Sequence, residues 1–311
     1  MPRVLITGSG GFIGNWLADR AVARGTEVIA TYRHQRPTGQ TAEAAHLVQR
    51  DLAEGLPDIA PVDLIVHAAA NTHLNPNLNV QDYIRSNVEA TARIIDFARS
   101  CPTPPIIIYL STLTVYGDIT VTKLEEHTPC VNPNVYGQTK RLAECLLADA
   151  PELPVVIFRL PGVVGPEYFK PWLGKVLQSF LAQQPVEMYN PTAPFNNVTD
   201  LDEIDRLIVH LVKQGIKLGT NVVNLASTQP VTVAQAVQLL KRSVGSSSPI
   251  RRCEGSERSF QISTDRLREC YGYVPASTAE VIRRYAEANY ANFSDHPVPH
   301  SERTVSDQIP V

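Results

Sequence analysis

Six short apolar runs, at residues 3–7, 27–32, 47–49, 64–67, 106–110 and 155–159, divide the first 160 residues at intervals that leave room for a helix between neighbours. Each run is rich in Val, Ile and Leu without polar alternation, the composition of strands covered on both faces. Helical patterns at 11–24, 81–99 and 134–147 fall in the gaps. This rhythm predicts an α/β fold, a doubly wound parallel sheet whose ligands lie beyond the carboxyl ends of its strands.

After Arg159 the rhythm breaks. Pro161, Pro166, Pro171, Pro185, Pro191 and Pro194, with Trp172 among them, mark irregular structure. Helices are expected to resume at 200–213 and 233–242, with a strand near 222–225 between them. The expected organisation is a core over residues 1–160 and a smaller lobe over 161–291, with segments near 195–226 returning to the core. A polar tail over 292–311, with Pro297, Pro299 and Pro310 and no periodicity, is expected to be loose.

A chain of 311 residues, 43% hydrophobic, can bury a large core, which excludes a peptide hormone, a disordered tail or a coiled coil. Basic residues number 28 against 31 acidic ones, with no long basic run, so nucleic acid is not an expected partner. Five cysteines at irregular spacing contain no Cys-x-x-Cys pair, which fits a reducing, cytoplasmic compartment. The first apolar run is too short for a signal segment or a membrane span, so neither export nor a membrane is expected. His67 and His73 stand six apart without a supporting carboxylate or cysteine cluster, so no metal site is expected.

The first strand ends in Thr7-Gly8-Ser9-Gly10-Gly11-Phe12-Ile13-Gly14, with glycines at 8, 11 and 14 between strand and helix. Such a turn lets backbone N–H groups and a helix N-terminus meet a pyrophosphate, because a side chain there would hold the ligand away. The second strand ends in Tyr32 and Arg33, with Arg36 close by, where an NAD-specific turn would offer an acid to the adenosine 2′-hydroxyl. A guanidinium there pairs with a 2′-phosphate, so NADP is favoured over NAD.

Tyr136-Gly137-Gln138-Thr139-Lys140 opens a predicted helix, and the i, i+4 spacing puts phenol and ammonium on one face. An ammonium beside a phenol lowers its pKa, so the tyrosine can exchange a proton at neutral pH. The hydroxyl-rich segment Leu110-Ser111-Thr112-Leu113-Thr114-Val115-Tyr116-Gly117 follows the fifth strand, at the edge where ligands bind.

With these motifs in this order, residues 3 to 290 resemble the extended short-chain dehydrogenase/reductase family, a Rossmann-fold group of nucleotide-sugar epimerases, dehydratases and reductases. The resemblance implies that Thr112 is the catalytic hydroxyl, Tyr136 the general acid/base and Lys140 the residue holding the nicotinamide ribose. It further implies that Gly8, Gly11, Phe12, Ile13, Gly14, Asp51, Leu52, Ala68, Ala69, Ala70, Asn87, Leu110, Pro161, Gly162 and Val163 border the cofactor, beside Arg33 and Arg36. Thr72, Thr112, Tyr116, Asn197 and Arg252 are the expected substrate-facing residues. A homodimer through the helices at 81–99 and 134–147 is also implied.

The chain departs from the family pattern on the substrate side. Gly162 stands where an Asn is usual, Asn197 where a His is usual, and Ala193 where an Arg is usual. Tyr168, Phe169 and Trp172 could line a pocket or simply cover the core. The expected activity is an NADP-dependent oxidoreductase reducing a ketone on a polar, sugar-like or nucleotide-sugar-like small molecule. The alternatives are an epimerase that retains NAD and, from a different class, a non-catalytic NADP-binding sensor or scaffold.

Overall fold

The structure is a computed structural model that describes residues 2–72, 77–255 and 259–295. The first half alternates as the apolar runs require: β1 (Arg3–Thr7), α1 (Phe12–Ala23), β2 (Glu27–Tyr32), α2 (Gly39–Ala44), β3 (His46–Gln49) and β4 (Leu64–His67). Then follow α3 (Val80–Tyr83), α4 (Ala90–Ser100), β5 (Ile106–Thr112), β6 (Lys123–Leu124), α5 (Val135–Ala148) and β7 (Pro154–Leu160). Every expected strand of this half is present. The helix expected over 81–99 is interrupted, because Ile84–Glu89 between α3 and α4 forms a wider π-helical turn.

The Pro-rich segment after β7 holds more regular structure than its punctuation suggests. It contains β8 (Gly162–Val164), α6 (Trp172–Leu181), β9 (Val186–Met188), β10 (Pro194–Phe195) and β11 (Val198–Asp200). Helix α6 starts behind its N-cap Pro171, in the stretch where a proline's missing N–H costs the helix nothing because the leading N–H groups have no intrahelical partner. Next come α7 (Leu201–Gln214), β12 (Gly219–Asn224), β13 (Val231–Thr232), α8 (Val233–Ser243), β14 (Ile250–Arg252), β15 (Gln261–Ile262), α9 (Asp265–Tyr271) and α10 (Thr278–Asp295). Helix α10 thus enters the segment expected to be loose, and residues 296–311 of that segment lie outside the described residues.

Seven parallel strands form one sheet in the order β12-β7-β5-β4-β1-β2-β3. The direction of travel reverses between β1 and β4, so the ends of those strands frame the crevice of a Rossmann fold. Helices cover both faces. On one, Leu17 and Ala18 of α1 and Leu201, Ile204, Leu207, Ile208 and Leu211 of α7 pack on Ile6, Val28, Ile108 and Phe158. The three- and four-residue spacing of the α7 set is what gives that helix a single apolar face. On the other, Ile94 and Ile95 of α4 and Ala143 and Leu147 of α5 pack on Leu5, Ile65, Ile107 and Ile157.

A separate apolar cluster joins α6, α8 and α10, centred on Leu177, Phe180, Leu240 and Ile282. Helix α10 also holds the segment between β8 and α6. Its Asn289 accepts from Glu167 N at 2.8 Å and donates to the Gly165 carbonyl at 3.3 Å, while the Tyr285 hydroxyl donates to the Tyr168 carbonyl at 2.7 Å.

Candidate active site

The three motif glycines have two different duties. Gly8 adopts φ +69, a conformation other residues strain to reach, and a methyl group on it would stand 2.7 Å from the Ala69 backbone. Gly14 lies so close to the Gly8 carbonyl that any side chain would overlap it. Gly11, by contrast, is exposed, and the nearest atom to a methyl group there is the Gly8 carbonyl oxygen at 3.3 Å. Chain packing therefore fixes Gly8 and Gly14, whereas Gly11 keeps a groove open at the start of α1. Phe12 and Ile13 form the first turn of that helix, whose leading N–H groups are the donors an anion would meet. The pyrophosphate of a dinucleotide fits this cradle. Gly10, which the motif spacing does not single out, is equally constrained, because a side chain there would overlap the Gln35 carbonyl of the loop after β2.

Around the adenosine side, Arg33 reaches from the end of β2 to Asn71 and Ser86, and Arg36 is exposed in the same loop. Asp51 caps the short turn Leu52–Glu54 by accepting from Ala53 N, and it receives Arg85 Nε at 3.0 Å. Burial opposes its ionisation, but the Ala53 N–H and Arg85 hold its carboxyl below the ordinary value. Leu52 is buried, while Ala68, Ala69 and Ala70 are half-buried beyond β4. Asn87 joins that segment to α5. Its Oδ1 accepts from Asn71 N, and its Nδ2 donates to the Asn71 carbonyl and to Thr139 Oγ1 of α5.

His67 is structural. Thr91 Oγ1 donates to the Asn87 carbonyl, so it must accept from His67 Nε2, which leaves Nδ1 to accept from Thr7 Oγ1. Burial, and then the charge of Lys140, push this imidazole down to about 3, consistent with that neutral form. Among the described residues no group of three His, Cys, Asp or Glu could hold a metal ion, and His73 lies outside them.

Thr112, the last residue of β5, is half-buried, and its hydroxyl acts on the Tyr136 phenol. Its own Oγ1 also accepts from Thr114 N at 3.2 Å, which turns the chain out of the sheet. Asn134 caps α5 by accepting from Gly137 N at 2.9 Å, which fixes the helix start and with it Tyr136. Burial pushes the Tyr136 phenol up to about 12, and the Thr112 hydroxyl is the group that pulls it back. The depression by Lys140 that the i, i+4 spacing predicts is therefore absent here. Lys140 is 1% exposed, with its Nζ seated 3.9 Å from the centre of the Tyr109 ring. Burial pulls this ammonium down to about 7, against the opposing charge of Glu144.

Beneath these residues lies a buried ion pair. Glu144, one turn beyond Lys140, receives Arg159 of β7 at 2.6 and 3.1 Å and Arg141 at 2.9 Å. It also accepts from the hydroxyl of Ser111 at 2.6 Å, so the same carboxylate ties α5 to the residue preceding Thr112.

One expected substrate-facing side chain, Tyr116, and one expected cofactor-bordering side chain, Leu110, are buried instead. Tyr116 is fully buried, its hydroxyl donating to Asn224 and its ring lying against the Arg159 guanidinium, so it offers no face to a ligand. The side chain of Leu110 packs inside the sheet core rather than along the cofactor groove. Thr72 is exposed, and its carbonyl accepts from Tyr83, whose ring centre lies 6.4 Å from that of Tyr136.

Pro161 and Gly162 are half-buried, whereas Val163 belongs to the core. Gly162 pairs with Val198 in the β8–β11 register, and a methyl group on it would stand 3.5 Å from the Asn197 backbone carbonyl. The two departures from the family pattern thus lie side by side in the chain fold. Its neighbour Asn196, missed in the sequence, is buried and bonds Ser227 and Ile262. Arg252 is exposed at the end of β14. Phe12 stacks on Tyr168 at 3.9 Å, which puts that tyrosine over the cofactor turn rather than in simple core cover.

A family model described as the NAD dependent epimerase/dehydratase family matches residues 4–226. UDP-glucuronic acid decarboxylase 4 of Arabidopsis thaliana is 30% identical over 225 residues, 65% of this chain and 49% of that protein. The chain therefore spans about half the length of that relative. The dTDP-6-deoxy-L-talose 4-dehydrogenase (NAD(P)(+)) of Kitasatospora kifunensis is 32% identical over 171 residues, 52% of this chain and 53% of that one. Among solved structures, UDP-glucuronic acid 4-epimerase from Bacillus cereus in complex with NAD has the same fold, with a TM-score of 0.76 at 19% identity over 94% of this chain and 99% of that one.

Proposed function

Because this chain belongs to the NAD dependent epimerase/dehydratase family, we propose that it is an NADP-dependent oxidoreductase that reduces a ketone on a sugar-like or nucleotide-sugar-like substrate. The observation that carries the reading is the meeting of Thr112, at the carboxyl end of β5, with the buried Tyr136 of α5, and Lys140 buried on the same helix. A phenol near 12 is protonated at neutral pH, so Tyr136 is set to give its proton to a carbonyl oxygen. Thr112 holds that oxygen in line by a second hydrogen bond. Lys140, near 7, can exchange protons at working pH and restore the phenol after each turnover. When bound, the nicotinamide supplies the hydride to the carbonyl carbon. Gly8, Gly11 and Gly14 would hold its pyrophosphate, with Pro161 and Gly162 along the nicotinamide.

For the cofactor, the end of β2 presents Arg33 and no carboxylate, which supports a 2′-phosphate and hence NADPH drawn from the reducing pool. A preference of about ten- to a hundredfold over NADH is expected. The dehydrogenase relative, whose name carries NAD(P), is compatible with this. The second reading is an epimerase with retained NAD, favoured by the family description and by the NAD complex of the Bacillus cereus epimerase.

A panel of keto-sugars, nucleotide keto-sugars and simple ketones, scored by NADPH oxidation, decides between them. Stoichiometric NADPH consumption with one class supports the reductase. Protein that purifies with tightly held NAD and interconverts isomers without net consumption refutes it in favour of the epimerase. We further infer a homodimer through α4 and α5 and a cytoplasmic location, the first testable by sedimentation. No helix among the described residues is long and apolar enough to cross a membrane.

A further inference from the structure

We propose that Asn71, Ser86 and Arg85 turn Arg33 into a preset receptor for a phosphate monoester, Asn71 and Ser86 by fixing the guanidinium and Arg85 by occupying the nearby carboxylate of Asp51. The inference rests on the NADP reading and names the residues that give it selectivity. Arg33 follows β2, and its side chain passes over the end of β1 to reach the segment beyond β4. There Nη1 donates to Ser86 Oγ at 3.1 Å and Nη2 to Asn71 Oδ1 at 3.2 Å. Both acceptors are neutral, and among the described residues no carboxylate lies within 4.0 Å of Arg33. The bonds therefore set the position of the guanidinium without neutralising it. Of its five N–H donors two are engaged, and the remainder can grip a phosphate.

The holding residues are themselves held. Asn71 Nδ2 donates to Ser86 Oγ at 2.8 Å and to the Asp82 carbonyl at 3.1 Å, which leaves Oδ1 to Arg33. The Asn71 backbone is clamped from both sides by Asn87. A long side chain fixed before its ligand arrives loses less freedom on binding. Asp51 is close enough for its charge to interact with Arg33 and would repel a dianion. Arg85 neutralises it at 3.0 Å and also meets Glu54 at 3.1 Å. The π-helical turn explains how three consecutive residues do this, since Arg85, Ser86 and Asn87 each find a different partner along the sheet edge.

The test is calorimetric binding of adenosine 2′,5′-bisphosphate and of 5′-AMP, followed by NADP and NAD. Wild type should prefer the bisphosphate, and Arg33→Ala should erase the preference. Ser86→Ala should weaken bisphosphate binding by about three- to tenfold, the effect of one lost hydrogen bond, and leave 5′-AMP within about twofold. Ser86→Thr, which keeps the hydroxyl, should restore it. Asn71→Asp, which puts a carboxylate against the guanidinium, should weaken the bisphosphate more than tenfold, as should Arg85→Ala by freeing Asp51. If wild type shows no preference for the bisphosphate, the NADP reading fails. If wild type prefers it and Arg33→Ala loses it, yet Ser86→Ala and Arg85→Ala retain it in full, the NADP reading stands and this inference is overturned. Ser86→Ala alone decides the matter should Asn71→Asp fail to fold.

Discussion

Replacing Lys140 with Met should make the protein more stable at neutral pH while abolishing turnover. Burial places the folded-state value of this lysine near 7, whereas an unfolded lysine titrates near 10.5. Between those values the unfolded chain carries a proton that the folded chain has released, so stability rises with pH at about 1.4 kcal/mol per unit. The buried ammonium accordingly costs roughly 4 kcal/mol at pH 7, a cost that fades as pH approaches 10.5. Met has a similar stem and no charge, so it should fill the space beside Tyr109 without that cost. Urea denaturation of both proteins at pH 7, 8 and 9 would show the variant ahead at pH 7. The gap should narrow by roughly 2–3 kcal/mol at pH 9, groups common to both chains cancelling in the comparison. A gap that stays constant across this range, or a variant less stable at every pH, would refute the assignment of a destabilised ammonium at this position.

Tyr136→Phe should lower turnover by ~10²–10⁴ while leaving cofactor affinity in a fluorescence titration nearly unchanged, because it removes a proton donor and keeps the shape. Gly11→Val should fold normally by circular dichroism and fail to bind the dinucleotide, since the groove it would fill is open in the folded chain. Glu144→Ala should cost roughly 3–5 kcal/mol in urea denaturation, because it strands the buried Arg159 guanidinium, and the double change Glu144→Leu with Arg159→Met should recover most of that loss.

The parallel strands of the first half were readable because strands covered on both faces need unbroken apolar runs, and β1, β2 and β4 end where the runs end. Helix α6 was not, since Pro166, Pro171 and Pro185 around it look like loop punctuation while Leu173, Val176, Leu177 and Phe180 bury a helical face. The same limit applies within the site. Thr112, Tyr136 and Lys140 are set by local spacing and by the end of one strand, and the structure brings the first two together. Gly10 and Asn196 owe their constraints to residues distant in sequence, Gln35 of the loop after β2 and Ile262 of β15, that only the folded chain brings near. Tyr116 misled for the opposite reason. It follows a strand end, as a substrate residue would, but the turn at Leu113–Tyr116 folds its ring inward beneath Arg159.

The clamp of α10 on residues 165–168 has a consequence for the order in which this chain can become functional. Phe12 of the cofactor turn stacks on Tyr168, whose carbonyl is held by Tyr285, and Gly165 and Glu167 are held by Asn289. The glycine turn thus acquires its cover from a helix that follows it far along the chain. Contacts of such long sequence separation form late, because the intervening chain must be ordered before they repay its closure entropy. Nascent chains that lack α10 would carry a formed glycine turn with an uncovered groove, and competence to capture a dinucleotide would wait on the docking of that helix.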